Sequence, residues 1–296
     1  MALITEEIDP TIFQGLDNLG NTCFYNATLQ SIFKCTKLIE KLKNYTGSND
    51  LLRHLKITIF DYYFRKGEFT IGPRLLLNSY RSMNSNYRFY SQEDAHECLT
   101  YFLDNFDMAT TTEGFDIKSL FDCKLISELQ CTSCGFKSEK VDNEKVISLE
   151  INNYSTFDEA LNNFLSVEKL DDNNLWLCEK CNQKIGTNKK LIIRGTPEYM
   201  FISLKRFEHK YYSNLNQISI KKITNGLQMP DNFNMNDTLY ELSGCIMHIG
   251  NVGGGHYVYY HKINNSWTLL DDNRINNVSN NDDIKKYGYI YTYVKK

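Results

Sequence analysis

Apolar residues recur at three-and-four spacing from Leu51 to Phe64 and from Ser91 to Phe106, the period of one helix face, so the region from about Thr11 to Met108 reads as mostly helical. From about Phe121 to Arg194 the pattern changes to short apolar runs broken by Asn, Asp and Gly, which predicts short strands. Beyond Leu191, strands are predicted at Tyr199–Phe207, Leu242–His248, His256–Ile263, Trp267–Leu270 and Tyr287–Val294, separated by polar loops. The last of these, in YGYIYTYVKK, alternates tyrosine with smaller residues, as a strand with two different faces does. A helical first third followed by a β middle and a β end predicts an α+β protein.

Composition narrows the class without choosing a function. The chain has 296 residues, enough for a full-sized core, and its 42% apolar and 23% charged residues are the balance of an ordinary globular protein. Its 20 Tyr and 17 Phe argue against disorder. A net charge of -3 with no large basic block weighs against a nucleic-acid partner, whose binding would rest on Lys and Arg at phosphates. No apolar run approaches the ~20 residues of a membrane helix. The N-terminal MALITEEIDP carries acids where a signal peptide carries basic residues, so secretion is not expected, and neither is a membrane partner. Four of the nine cysteines form two Cys-x-x-Cys pairs, which favours thiol and metal chemistry over disulfides and a cytoplasmic or nuclear location. With four prolines and no Gly/Ser-rich linker, residues 1–296 read as one domain.

Several stretches carry candidate chemistry. The polar, glycine-punctuated loop from Gly15 to Cys23 runs into Tyr25, Leu29, Ile32 and Phe33, spaced as on one helix face. Thr22 or Asn21 suits the N-cap, which sets Cys23 in the first turn, where unpaired N–H groups and the helix dipole favour a thiolate and lower its pKa. The same N–H groups and the amide of Asn18 can serve an oxyanion. A buried core cysteine beside a turn asparagine accounts for these residues equally well. Of six histidines, only His256 follows Gly253-Gly254-Gly255 and opens a strand, and such glycines let backbone pass close to an extended ligand. His261 points to the opposite strand face, and His54 and His96 sit in helical patterns. A turn at INNS can return the chain so that Asp271 or Asp272, after Trp267, orients the His256 imidazole. A solvated turn explains the two acids as simply.

Cys131-x-x-Cys134 and Cys178-x-x-Cys181 supply four thiolates, the donor set of a closed tetrahedral zinc site, with a redox dithiol or core cysteines as alternatives. Cys35, Cys98, Cys123 and Cys245 read as reduced structural cysteines. Ser91-Gln92-Glu93-Asp94 reads as a capping box with Ser91 as N-cap, ahead of a core stripe of Ala95, Cys98, Leu99, Phe102, Leu103 and Phe106. Asp94 and Glu97, three apart, project near one another.

GLDNLGNTCFYNATLQSIF resembles the Cys box of the ubiquitin-specific protease family, close to GLxNLGNTCYMNSxLQxL, with departures at Phe24, Tyr25 and Ala27. GHYVYYHKINNSWTLLDD resembles that family's His box, SQEDAHEC its QQDAxEF box with Cys98 in place of Phe, and Phe201–Phe207 its LKRF strand. These motifs span Gly15 to Tyr293. The resemblance implies a thiol-dependent deubiquitinase with Cys23 as nucleophile, His256 as base and Asn18 as oxyanion donor. Asp271 is implied as the third triad member, ranked ahead of Asp272. It further implies that Gln92, Asp94, Glu97, Gly254, Gly255 and Tyr257 bind ubiquitin's Leu-Arg-Leu-Arg-Gly-Gly tail, the two acids taking its arginines. The loops carrying Tyr211, Asn214 and Asn216, and Asn251–Gly255, would flank that tail.

The implied architecture is a papain-like core with a helical thumb (about 11–120), β fingers holding one structural Zn2+ (about 121–190) and a β palm (about 191–296). Ubiquitin, ubiquitinated proteins or polyubiquitin are the implied partners, and a monomer is expected. About fourteen residues precede the Cys box, too few for an appended targeting domain. The rival readings are a ubiquitin-binding scaffold of the same fold with weak or lost catalysis, an unrelated papain-like acyltransferase or peptidase, and a zinc-ribbon nucleic-acid binder.

Overall fold

Helix α1 (Cys23–Phe33) is buried along all eleven of its residues, more than the single predicted stripe. It packs on strands of the palm on one side and on helix α5 (Ala95–Glu113) on the other, and most of its polar side chains find partners inside, Tyr25 Oη being an exception. Gln30 donates to the Gln14 carbonyl and accepts from Tyr62 Oη, while Ser31 Oγ meets Thr292 Oγ1 at 3.2 Å. Around α1 stand α2 (Thr36–Lys43), α3 (Asp50–Phe64), α4 (Arg74–Met83), α5 (Ala95–Glu113) and the short α6 (Lys118–Phe121). The six predicted core residues of α5 are all fully buried.

This computed structural model describes residues 7–65, 70–85, 87, 91–170, 174–212, 217–279 and 282–296. Asn214 and Asn216 of the expected tail-flanking loop lie outside them, as does the Tyr211 side chain.

The middle of the chain forms the fingers. Strands β1 (Cys123–Cys131) and β2 (Lys137–Glu144) pair antiparallel, and later strands complete the order β2-β1-β7-β4, with β4 at Glu168–Leu170 and β7 at Thr187–Gly195. Between these come β3 (Val146–Leu149), which belongs to the palm, and the hairpin of β5 (Trp176–Cys178) and β6 (Gln183–Ile185). Helix α7 (Phe157–Phe164) interrupts the predicted run of strands. Its Thr156/Glu159 capping box is reciprocal, and Phe157 and Ala160 anchor its apolar side, a helix signal overlooked among the surrounding Asn and Asp.

The palm is one twisted sheet in the order β15-β14-β13-β12-β16-β8-β3. Its strands are β8 (Tyr199–Leu204), β12 (Thr238–Asn251), β13 (Gly254–Ile263), β14 (Ser266–Asp271), β15 (Arg274–Val278) and β16 (Ile290–Lys295), with β11 (Asn232–Met235) paired to β12. The hairpin of β9 (Phe207–Tyr212) and β10 (Gln217–Lys222) stands apart. The predicted strand at Tyr287 starts later than expected. Tyr287 ends helix α8 (Asp282–Tyr287), and Gly288 then lets the chain turn into β16. Both faces of β16 are buried, Ile290 in the thumb–palm core and Tyr291 and Tyr293 in the core under the palm. The mixed helix-and-sheet fold is therefore as expected.

Candidate active site

The loop entering α1 is fixed by glycines placed where a side chain cannot go. A Cβ on Gly15 would lie 2.5 Å from the Asn273 carbonyl oxygen, so only glycine lets this loop close on the turn after β14. Leu16 N–H donates to the Asp272 carbonyl at 2.8 Å across that contact. Gly20 and Asn21 both have left-handed backbone, with φ of 102° and 53°, which turns the chain into the helix. Thr22 occupies the N-cap as expected but makes no capping side-chain bond; its Oγ1 instead accepts from Leu19 N–H within the loop.

Cys23 thus opens α1, where burial works against the thiolate that a helix start favours. The residue is 3% exposed, and burial raises its pKa above the ordinary thiol value. The Tyr257, Phe24 and Cys23 backbone N–H groups pull it down and the Asp272 charge pushes it up, and burial outweighs them.

The predicted turn at INNS forms, pairing Ile263 with Ser266 and bringing β14 back along β13. His256 Nε2 and Asp271 Oδ1 are 2.5 Å apart. Asp272, next in sequence, has φ of 50°, and this left-handed residue turns its carboxylate elsewhere. Asp272 Oδ2 accepts from Asn18 Nδ2 at 2.8 Å, and Oδ1 accepts from Asn26 Nδ2 at 2.7 Å. Asn18 Oδ1 in turn accepts from the N–H groups of Gly20 and Thr22, which fixes which end of its amide faces Asp272. Asn26 was missed in the sequence. Its signal was a carboxamide one helical turn after Cys23, on a helix otherwise seated in the core. His256, Asp271 and Asp272 bring one donor atom each within 4.8 Å of the others.

The His209 side chain lies outside the described residues, and the other four histidines take other roles. His54 Nδ1 meets Ser79 Oγ at 2.6 Å, and His96 Nε2 meets Ser148 Oγ at 3.4 Å. His261 is buried against Phe13 and Tyr259, with its pKa pushed down to about 3, by burial first and then by Lys34. His248 lies beneath Gly255, where a Cβ would fall 2.1 Å from its Nε2. Burial first, then Lys222, lowers the His248 pKa to about 4, so its ring is neutral at pH 7.

Asp94, and not Ser91, caps α5. Its Oδ1 accepts from the N–H groups of His96 and Glu97, at 2.7 and 3.2 Å, which places the cap three residues later than the sequence suggested. Tyr257 Oη and Tyr289 Oη also donate to this carboxylate, each at 3.0 Å. Gln92 bridges to the glycine loop, donating Nε2 to the Gly255 carbonyl at 2.8 Å and accepting from Gly255 N–H at 3.2 Å. Gly253 and Gly254 face open space. Between these walls lies a cleft of about 340 Å³, with Asp94 and Glu97 on the thumb side and Phe207, His248, Tyr257 and Tyr289 on the palm side.

In the fingers, the two Cys-x-x-Cys pairs converge. Cys131 and Cys181 Sγ are 4.0 Å apart, Cys134 and Cys178 Sγ are 3.8 Å apart, and all four sulfurs lie within 4.8 Å of one another. Four thiolates at Zn–S distances of about 2.3 Å would stand roughly 3.8 Å apart, so the type and closeness of this donor set fit zinc. Cys35, Cys98, Cys123 and Cys245 are buried and free, as expected of structural cysteines.

Residues 14–293 match the ubiquitin carboxyl-terminal hydrolase family. Among curated relatives, Ubiquitin carboxyl-terminal hydrolase 20 of Arabidopsis thaliana is 29% identical over 310 residues, covering 95% of this chain and 43% of the relative. Probable ubiquitin carboxyl-terminal hydrolase 8 of Schizosaccharomyces pombe is 30% identical over 298 residues, covering 95% of this chain and 64% of that protein. The chain thus spans well under two thirds of the Arabidopsis relative's length. Among solved structures, a SAGA DUB module containing Ubp8, bound to monoubiquitin, superposes with a TM-score of 0.81 at 25% identity, covering 100% of this chain and 71% of that one.

Proposed function

The chain belongs to the ubiquitin carboxyl-terminal hydrolase family, and on that premise we propose that it hydrolyses the isopeptide or peptide bond after the C-terminal glycine of ubiquitin, with Cys23 as nucleophile. The observation that carries this reading is the 2.5 Å bond between His256 Nε2 and Asp271. With Nε2–H held by a carboxylate, the neutral ring keeps its lone pair on Nδ1, free to take the Cys23 proton. The thiolate attacks the glycine carbonyl, His256 returns the proton to the leaving lysine amine, and water resolves the thioester.

Asp271 is the orienter of the base in this scheme. Asp272 acts elsewhere, holding the Asn18 amide, which together with N–H groups at the start of α1 donates to the oxyanion. Burial raises the Cys23 pKa, and in this scheme the proton transfer to His256 accompanies substrate binding. Asp94 and Glu97 give the cleft the charge that the arginines of ubiquitin's tail require, and the glycines at 253–255 leave room for Gly-Gly. In this role Asp94 keeps its helix-cap bonds, and Glu97 offers the more exposed carboxylate.

Cys131, Cys134, Cys178 and Cys181 would hold one zinc ion, which ties the tip of the fingers together and takes no part in the chemistry. Every group named lies on one chain, so a monomer suffices. A reducing compartment, cytoplasm or nucleus, suits the free thiols. A scaffold that only binds ubiquitin is the weaker reading, since the residues proposed as nucleophile, base, orienter and amide donor are all retained. The test is release of a fluorophore from a ubiquitin C-terminal amide by the wild type and by Cys23→Ala. Turnover by the wild type alone is expected; no release, or equal release by both, overturns the proposal.

A further inference from the structure

Arg206, in the segment joining β8 to β9, is 2% exposed, and among the described residues no carboxylate lies within ion-pair distance of it. Its guanidinium bonds backbone instead. Nε donates to the Gly288 carbonyl at 2.7 Å, Nη2 to Lys286 at 2.8 Å, and Nη1 to Ile223 and Asn225 at 3.2 and 3.1 Å. A buried charge without a counter-ion is costly, and an apolar side chain would fill the same volume with no such penalty. Four fixed donors in one plane, however, can hold two separate chain segments in register as no apolar residue could.

The second of those segments leads straight into the cleft. Gly288 is gripped from its other side as well, its N–H donating to Tyr291 Oη at 2.9 Å, and a Cβ there would fall 2.2 Å from Cys245 Sγ. The next residue, Tyr289, donates to both oxygens of Asp94. On the other side of Arg206, the ring of Phe207 stands edge-on to Tyr289 and to His248, both at 5.3 Å. Arg206 itself does not line the cleft, while Asp94, Phe207, His248 and Tyr289 all do.

We propose that Arg206 is a positioning residue for substrate: by holding Gly288 it seats Tyr289 against Asp94 and so sets the width of the cleft that takes the ubiquitin tail. This rests on the function proposed above and deepens it. A residue acting on the cleft alone changes capture of the tail and not the chemistry at Cys23, which separates this role from general support of the fold.

The experiment measures kcat and KM on a ubiquitin C-terminal amide for wild type, Arg206→Lys, Tyr289→Phe and the double variant. The rate of Cys23 alkylation by iodoacetamide is followed in parallel. Lysine keeps the charge but cannot bond four carbonyls. It is expected to raise KM about tenfold or more, with kcat and the alkylation rate within about twofold of wild type. Tyr289→Phe is expected to raise KM too, and the double variant to do little more than either single one, because both act through one contact. If Arg206→Lys does not fold, Tyr291→Phe, which releases the other hold on Gly288, decides the matter. A KM increase that disappears in the Tyr289→Phe background supports the proposal. Unchanged KM, fully multiplicative effects, or parallel loss of kcat and alkylation overturns it while leaving the deubiquitinase reading intact. A wild type that neither cleaves nor binds ubiquitin removes that reading, and this one with it.

Discussion

Helix α1 and strand β2 are held in place by opposite means. Every residue of α1 is buried between the thumb and the palm, and even its glutamine and asparagine are bonded inward. No residue of β2 is buried, and the sheet it edges has little core of its own beyond its root near Leu125 and Ile193. Burial therefore secures the candidate nucleophile, whereas the tip of the fingers has four convergent cysteines that would tie it together on binding zinc. The difference separates two kinds of robustness. The seam around the candidate nucleophile depends on packing that no single bond controls, and the fingers would depend on one site.

Removing the proposed zinc is the sharpest way to exploit that contrast and carries the largest expected effect. A structural zinc site contributes on the order of 10 kcal/mol or more to the element it ties. A chelator, or Cys178→Ser, should raise amide exchange in β1, β2 and β5 by orders of magnitude while α1 amides stay protected. If α1 opens together with the fingers, the two regions form a single cooperative unit and the comparison fails.

Within the seam, the two adjacent aspartates should part company. Asp271→Asn leaves the imidazole without the partner that fixes its tautomer, and a loss in kcat of about 10⁴-fold is expected by analogy with such triads. Asp272→Asn loosens one oxyanion donor, for an expected loss of about 10²-fold. Steady-state kinetics on the fluorogenic amide checks both, and the reverse order would reassign the orienter.

Packing supplies the next smaller effect. Leu29→Ala, at a fully buried site in α1, should cost about 2–5 kcal/mol in urea unfolding. Val141→Ala, on a half-exposed side chain of β2, should change stability by less than about 0.5 kcal/mol. Equal costs would mean that β2 packs against something beyond this chain.

The smallest effect concerns pH. Because burial raises the Cys23 thiol pKa, its alkylation in the free enzyme should be slow at neutral pH and climb as pH rises past the ordinary thiol range. A plateau already reached at pH 6 would show a resting thiolate and return the helix start to the leading role.

Much of the site was legible because it is local. Cys23 and its cap, the glycine run before His256, and the INNS hairpin that delivers Asp271 fifteen residues later are short-range features that chain geometry nearly dictates. The two cysteine pairs were equally plain, since their donor type and spacing constrain the chemistry. Where the sequence misled, a distant partner had outcompeted a local one. Ser91 had the right residue type for a cap, but Asp94 can bond two tyrosines as well as the helix N–H groups. One of those tyrosines lies 195 residues away. Helix α7 was lost because the polar residues around it read as strand punctuation.

By itself, then, the sequence determined the α+β class, the candidate nucleophile and base, and the four cysteines that could share a metal, since each is a matter of residue type and short spacing. Only the tertiary structure set Asp271 and Asp272 apart, giving the first to His256. It did so by bringing Asn18 and Asn26, 254 and 246 residues away in the chain, against the second carboxylate. It also set the direction in which the Cys23 pKa moves, because a thiol's pKa follows its surroundings, and here burial outweighs the backbone N–H groups that favour a thiolate.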